Sequence, residues 1–344
     1  MNIMKSITIH ISISTIIQLL IAISLFALLW YLRDIVLIFL LSIVIGSAII
    51  PAARALEKYK IPKTIAVTIV YALFFASFFA ITYFFAPPIL QETSSALSMI
   101  PDSTKAESYS KNLPSFLQSF SLSTIVTELN KIVFNITSDA FSVVNLIFGG
   151  VLNFVLIVIF SFYFAVNEKS IEGFLRVITP KENEKYIINL WRRSQKKMGR
   201  WLQGQLLLGV LVGVLVYLGL AIMGIQYALV LAVLAGLLEL IPIFGPILSM
   251  IPAIAIAFVS GGITLALYVF IFYLLVQQFE NALIYPLVVT KVVGVPPLLV
   301  ILALIIGAKL AGMIGILLSI PVAAVLQELF ADMDKYRQKR KAKI

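Results

Sequence analysis

Two acidic side chains stand where acids are costly. Glu239 lies in Leu238-Glu239-Leu240-Ile241-Pro242-Ile243-Phe244-Gly245-Pro246, inside an apolar stretch, and Glu280 lies in Gln277-Gln278-Phe279-Glu280-Asn281 near the end of another. A carboxylate in hydrocarbon costs about 2.5 to 3.5 kcal/mol on insertion scales, so it faces a cavity, a partner or a proton path. Proton exchange is the chemistry open to such a group. Glu239, Pro242, Gly245, Pro246, Gln278, Glu280 and Asn281 are therefore the candidate residues of a midplane pathway. A blander role remains beside it: Gln205, Gln278 and Asn281 also suit hydrogen bonding between helices, and Glu280 suits a headgroup boundary.

Other chemistry is excluded by what is missing. The chain has no cysteine, hence no disulfide, thiolate metal site or cysteine nucleophile, and its one histidine, His10, rules out every paired-histidine motif. No GxxxxGK[ST] phosphate loop occurs, so the chain does not hydrolyse ATP as a pump motor does. No GxSxG nucleophile elbow occurs either. Neither catalytic residues, a cofactor nor a metal is expected, and the chain does not read as an enzyme.

The elements that must position the two acids are membrane helices. Apolar residues make up 61% of the 344 and charged residues 12%, with a mean hydropathy of +1.06; a soluble domain has about 45–50% and about 25%. The net charge of +10 reads as topology rather than nucleic-acid binding, because basic residues in so apolar a chain mark the cytoplasmic side. A helix needs about 20 apolar residues to cross. Candidate spans are 15–32, 35–50 (ending at Pro51), 65–86, 140–166, 206–223 and 263–285. The first is followed by Trp30-Tyr31-Leu32-Arg33-Asp34 rather than a small-residue cleavage site, so it reads as a retained anchor.

Basic residues set the orientation. Arg54, Lys58, Lys60 and Lys63, the nine basic residues between Asn167 and Gln205, and the tail Lys335 to Lys343 belong inside; the acid-richer segment 87–139 belongs outside. Both termini are thus expected in the cytoplasm of a multi-pass protein of the cell membrane. The chain divides into membrane helices at 1–86, an extracytoplasmic segment at 87–139, a membrane helix at 140–166, a cytoplasmic basic segment at 167–205, a membrane core at 206–328 and a basic tail at 329–344.

Two segments carry helical amphipathic spacing. Outside, Leu122, Ile125, Val126, Leu129, Ile132, Val133 and Ile136 form a stripe that rests on the membrane interface or the bundle, or caps a pathway or subunit contact. Inside, Ile187, Trp191, Met198, Trp201 and Leu202 oppose Arg192, Arg193, Lys196, Lys197 and Arg200, the pattern of a helix lying flat on anionic headgroups and leading into the next span.

Two further apolar regions are interrupted. Residues 227–259 break at Glu239 to Pro246, with Pro252 beyond; residues 297–326 follow Gly294, Pro296 and Pro297, contain Gly307, Gly312 and Gly315, and reach Pro321. Irregular backbone at membrane depth needs protein or a watery cavity around it, and paired Gly/Pro-broken segments point to a transporter's binding site. Two arrangements fit: re-entrant hairpins, the first opening outward and the second inward with 263–285 crossing between them, or short ordinary helices joined by tight turns. The GxxxG of Gly209 and Gly213 reads as helix packing.

These residues resemble a family. Gly204-Gln205, Gly224-Ile225-Gln226-Tyr227-Ala228-Leu229, Glu239-Leu240-Ile241-Pro242-Ile243-Phe244-Gly245-Pro246 with Pro252 and Ala253, the Gln277 to Asn281 group, Pro286, Val293-Gly294-Val295-Pro296-Pro297 and Gly312 to Pro321 are similar to the autoinducer-2 exporter family of bacterial membrane proteins. The similarity covers nearly the whole chain, strongly in the C-terminal half. It implies an all-α multi-pass bundle with about eight membrane segments, cytoplasmic termini, homo-oligomerisation and export of a small solute. Other members are associated with Na+ or Li+ exchange for protons, which implies an antiporter as the alternative. Glu239 departs from a family position often occupied by Asn, and an acid there leans toward ion or proton coupling. A non-transporting membrane scaffold, recruiting partners through its outer amphipathic helix, is the reading from another class.

Overall fold

The computed structural model describes residues 13–76, 148–284 and 296–341. The described residues are helical almost throughout. In chain order the helices are α1 (Ile13–Tyr31), α2 (Arg33–Glu57), α3 (Lys63–Ala76), α4 (Val151–Val166), α5 (Ser170–Ile178), α6 (Glu184–Ile222), α7 (Ala228–Leu238), α8 (Phe244–Phe279), a π-helical turn (Glu280–Ile284) and α9 (Pro297–Lys341). The outer amphipathic segment, Gly294 and the last residues of the basic tail lie outside the described residues.

Small residues let the first helices close on one another. A Cβ on Gly46 would stand 2.9 Å from the Ser161 carbonyl, so α2 and α4 approach backbone to backbone, and Ser42 donates across to the Ile157 carbonyl at 3.2 Å. Tyr71 of α3 donates to Ser161 at 2.7 Å. The 35–50 span was expected to end at Pro51, but α2 runs through it. Pro51 lacks the N–H that would bond the Ser47 carbonyl, and the residue set against that carbonyl is Gly199 of α6, where a Cβ would clash. Gln203 then donates to the neighbouring Ala48 carbonyl at 2.5 Å.

α6 is one continuous helix of 39 residues. The basic segment is therefore not a separate helix before the span but the first half of the same helix. Its apolar stripe faces protein, with Met198 and Trp201 buried in a core shared with Ile38 of α2, Ile157 of α4 and Leu304 and Ile320 of α9. Three of its five basic side chains are engaged within the chain. Arg192 holds Glu172 of α5 through two bonds of 2.8 and 2.7 Å, Arg193 pairs with Glu328 at 2.9 Å and with Asp332, and Lys197 pairs with Glu328 at 2.5 Å. Lys196 and Arg200 are exposed.

Both α8 and α9 fold back on themselves. Gly261 and Gly262 leave helical geometry, the latter at φ 69°, ψ −164°, and Tyr273 reaches the Ser249 carbonyl at 3.5 Å. A straight helix would hold those residues about 36 Å apart at about 1.5 Å per residue. In α9, Ala311 and Gly312 break the helix, and Gly307 meets Gly315 so closely that neither has room for a Cβ. The expected break in 297–326 is therefore a helical hairpin. Residues 263–279, expected as a separate crossing, are instead the return arm of a hairpin with 244–260. Each α8 arm is about 25 Å long, short of a hydrocarbon core of about 30 Å.

Among the described residues four helices, the folded α8 and α9 included, are apolar enough and long enough end to end to cross a membrane, or five if α4 and α5, bent by 84°, count as one span. That is fewer than the expected eight segments. Part of the difference lies in counting each hairpin once although it holds two apolar arms, and residues 77–147 lie outside the described residues. Outward faces are rich in large apolar side chains, among them Val210, Val214, Leu218 and Leu275, as lipid contact requires.

Candidate functional site

The first determinant of the site is where α7 stops. α7 carries small residues at Ala228, Ala232, Ala235 and Gly236, and α6 meets them with Gly209 and Gly213. A Cβ on Gly209 would come 2.6 Å from the Gly236 carbonyl, and one on Gly236 would come 2.7 Å from the Gly209 carbonyl. The GxxxG thus packs helices, as its spacing implies. Four residues before Gly209, on the same face of α6, lies Gln205.

α7 ends at Leu238 and the chain turns through 239–243 before α8 begins. Ile243 is held at φ 72°, left-handed backbone that a β-branched side chain rarely adopts. Gly245 abuts the Leu238 carbonyl with no room for a Cβ, which closes the turn tightly. Pro242 and Gly245 are buried and Pro246 is half-buried. Carbonyls at the broken end of α7 lack following helical N–H groups, and one of them finds a side chain: Gln205 donates its amide to the Glu239 carbonyl.

The second determinant is the length of the α8 hairpin. Its arms are equal, so the return arm ends level with the start of the outgoing one, beside the 239–243 turn. Glu280 sits at that end and its carboxyl hydrogen-bonds with that of Glu239. Both are buried, at 1% and 5% exposure. Gln277, one turn earlier on the same face, donates to Glu280 Oε2 at 3.0 Å. Oε2 of Glu239 and Oε1 of Gln205 are buried with no donor beyond this group. Only the NH2 of an amide can donate to a carbonyl, so the bond to Glu239 fixes the Gln205 oxygen facing the other way.

The site is therefore two carboxyl groups and two amides at the junction of α6, α7 and α8, inside apolar surroundings. A hydrogen bond between carboxyl groups places one proton between two oxygens. Such an arrangement is chemically able to hold or pass a proton, or to offer oxygen ligands to a small dehydrated cation. Among the described residues no three His, Asp or Glu side chains gather as a metal centre.

Of the residues singled out in the sequence, the fold brings Glu239 and Glu280 together with Pro242 and Gly245 beside them. Gln278 and Asn281 are exposed. Gln277 makes the contact to Glu280 instead, and three-residue spacing from Glu280 already placed it on that face. Pro252 is buried between the α8 arms, while Gly312, Gly315 and Pro321 belong to the α9 hairpin and its continuation. Gln205, expected to hydrogen-bond between helices, does so from α6 to the end of α7; that its partner is the Glu239 backbone had no sequence signal beyond the neighbouring GxxxG.

Comparison with known proteins finds relatives over most of the chain. "Putative transport protein YueF" of Bacillus subtilis is 29% identical over 297 residues, covering 82% of this chain and 80% of the relative. "Putative transport protein YrrI" of the same organism is 24% identical over 298 residues, 84% and 83% of the two chains. "Putative transport protein YhhT" of Escherichia coli is 33% identical over a shorter stretch of 133 residues, 39% of this chain and 38% of the relative. The profile described as AI-2E family transporter matches residues 19–335, nearly the full length. On that match, with broken helices meeting at a buried polar site, this chain belongs to the AI-2E family of membrane transporters.

Proposed function

We propose that this chain is a secondary transporter that exports a small solute, with the Glu239–Glu280 pair as its coupling site. The observation that carries the reading is the meeting of two buried carboxyl groups at a helix break. Buried acids that pair with one another mark ion pathways and proton relays in membrane proteins, and broken helices supply such sites with unwound backbone. A small organic solute such as autoinducer-2 is the cargo that the family resemblance favours. Arg54 of α2 and Lys63 of α3 pair with Glu168 in the link between α4 and α5, and together with the ion pairs among α5, α6 and α9 these charges support a cytoplasmic placement for that part of the bundle in the plasma membrane.

Na+ or Li+ exchange for protons is the second reading, and one feature favours it. Glu239, Glu280 and the Gln205 side chain gather oxygens with few donors around them, the ligand chemistry of a hard cation. The two readings separate in proteoliposomes containing the purified protein. An imposed Na+ or Li+ gradient that drives a change of internal pH means antiport. No pH change with correctly inserted protein, together with gradient-driven efflux of autoinducer-2, means solute export. Neither flux would contradict the transporter reading itself.

A further inference from the structure

Between the carboxyl site and the basic end of α6 lies the contact of α6 with the second arm of α9. Arg193 and Lys197 stand one turn apart on α6, and Glu328 and Asp332 stand one turn apart on α9, so the four charges form a ladder across the contact. Behind the ladder is an apolar layer. Met198 and Trp201 of α6 pack there with Leu317, Ile320 and Ala324 of α9, and Leu240, the residue after Glu239, packs against the same cluster. Trp201 precedes Gln205 by one turn, on the face of α6 that reaches the carboxyl site. Ladder, layer and site thus follow one another along α6, with Lys197 about 12 Å from Gln205 along the axis.

α6 meets α2 and α7 at backbone distance, through Gly199 and Gly209, whereas long charged side chains and apolar ones join it to α9. The two arms of α9 are fixed to each other at Gly307 and Gly315, so the hairpin can shift as a unit. The contact also holds polar atoms that closure leaves stranded: Arg193 Nε, Ser194 Oγ and Trp201 Nε1 are buried with no hydrogen-bond partner. A buried donor without a partner raises the energy of the closed contact, and separation gives each of the three access to water. Apolar burial favours closure and these atoms oppose it. The ladder adds little to either side, because the Arg193 and Lys197 side chains are 37% and 27% exposed and ion pairs so open to solvent part reversibly.

We propose that the contact of α6 with α9 is the cytoplasmic gate of the carboxyl site, closed in this structure, and that it opens when the α9 hairpin moves off α6 as the four-charge ladder parts. The gate rests on the reading of Glu239 and Glu280 as a transport site. Closed, Met198, Trp201, Leu317 and Ile320 keep water from the pair. Open, the Ser194 and Trp201 face of α6 becomes the wall of a hydrated approach to it, while the contacts at Gly199 and Gly209 hold α6 in place.

Thiol labelling tests the gate on the full chain, which has no cysteine of its own. Ser194→Cys places one thiol in the contact, and Ser42→Cys, in a separate protein, places one in the buried contact of α2 with α4. Reaction with a water-soluble maleimide is followed in detergent, where both ends of the bundle are reachable. The expected result is that Arg193→Gln with Lys197→Gln speeds labelling at Ser194→Cys about tenfold and leaves the rate at Ser42→Cys unchanged. Exchange of all four charges, Arg193→Glu, Lys197→Glu, Glu328→Lys and Asp332→Lys, is expected to restore the slow rate. Flux in proteoliposomes supplies a second readout: Lys197→Cys with Glu328→Cys, bridged by a short reducible bifunctional thiol reagent, is expected to lose flux and to regain it on reduction. Labelling at Ser194→Cys that does not respond to the ladder, an equal acceleration at Ser42→Cys, or flux that survives the bridge overturns the gate. Absence of flux before bridging counts against the transport reading, while labelling still decides whether the contact opens.

Discussion

The side-chain amide of Gln205 donates to the backbone carbonyl of Glu239, so the group that ends α7 is held by α6 rather than by α7 itself. Gln205 thereby sets the place at which the Glu239 carboxyl meets Glu280. Gln205→Leu leaves a buried carbonyl without its donor, at a cost of about 1–3 kcal/mol. The expected outcome is a lower apparent melting temperature in detergent and slower transport at normal protein level, whereas Gln205→Asn, one methylene shorter, restores neither.

The same junction depends on the absence of two side chains. A Cβ on Gly209 or Gly236 would stand 2.6 or 2.7 Å from the opposite carbonyl oxygen, against 3.3 Å for Gly213 and the Ala232 carbonyl. Gly209→Ala and Gly236→Ala are expected to destabilise by about 1–3 kcal/mol, the usual cost of overpacking. Gly213→Ala is expected to cost less. Thermal unfolding of the three variants, compared in one detergent, gives the order.

The α9 hairpin rests on Gly312, which adopts φ 54°, ψ −132°. A β-branched residue there carries local strain of about 1–3 kcal/mol, so Gly312→Val is expected to lower stability. Gly307→Val is expected to do more harm, because it also forces apart arms that meet at Gly315. Limited proteolysis of membranes holding each variant is expected to find cleavage in α9 that the wild type resists.

An acid-sensitive contact lies away from the pathway. The Arg192 guanidinium, through its hydrogen bonds and charge, holds the Glu172 carboxyl below the usual carboxylate range. The pair's stabilisation is thus fully present above the unfolded value of about 4.3 and is lost as pH falls through the lower folded value. Apparent melting temperature measured from pH 6 downward is expected to drop in the wild type below about pH 4. In Glu172→Gln that drop is expected to be shallower from a lower starting point.

Much of this was legible in the sequence for physical reasons. Glu239 and Glu280 stood out because hydrocarbon makes an unpaired acid costly, and in the fold the two meet through a hydrogen bond, which requires a proton on one of them. Gly307, Gly312 and Gly315 announced a break because glycine alone tolerates both positive φ and close backbone approach. Pro51 misled, since a proline near a helix end frees one carbonyl without stopping the helix when a neighbour such as Gly199 packs against it. The basic stripe concealed its ion pairs. Arg192, Arg193 and Lys197 share a face with Lys196 and Arg200 by spacing, yet their partners Glu172, Glu328 and Asp332 come from distant segments that periodicity within one helix does not reveal. The return of α8 was hidden for a similar reason, as Gly261-Gly262 lies between two stretches that each look long enough to stand alone.

Proton flux through the carboxyl pair is the most direct test of its role. In proteoliposomes of wild type, Glu239→Gln and Glu280→Gln at matched orientation and protein level, internal pH is recorded while a Na+ or Li+ gradient or a gradient of exported solute is imposed. Loss of one ionisable partner is expected to reduce coupled proton movement at least about tenfold in each variant, equivalent to about 1.4 kcal/mol in the rate-limiting barrier, with insertion and oligomeric state unchanged. Wild-type proton coupling retained in either carboxamide variant would contradict a coupling role for the Glu239–Glu280 pair.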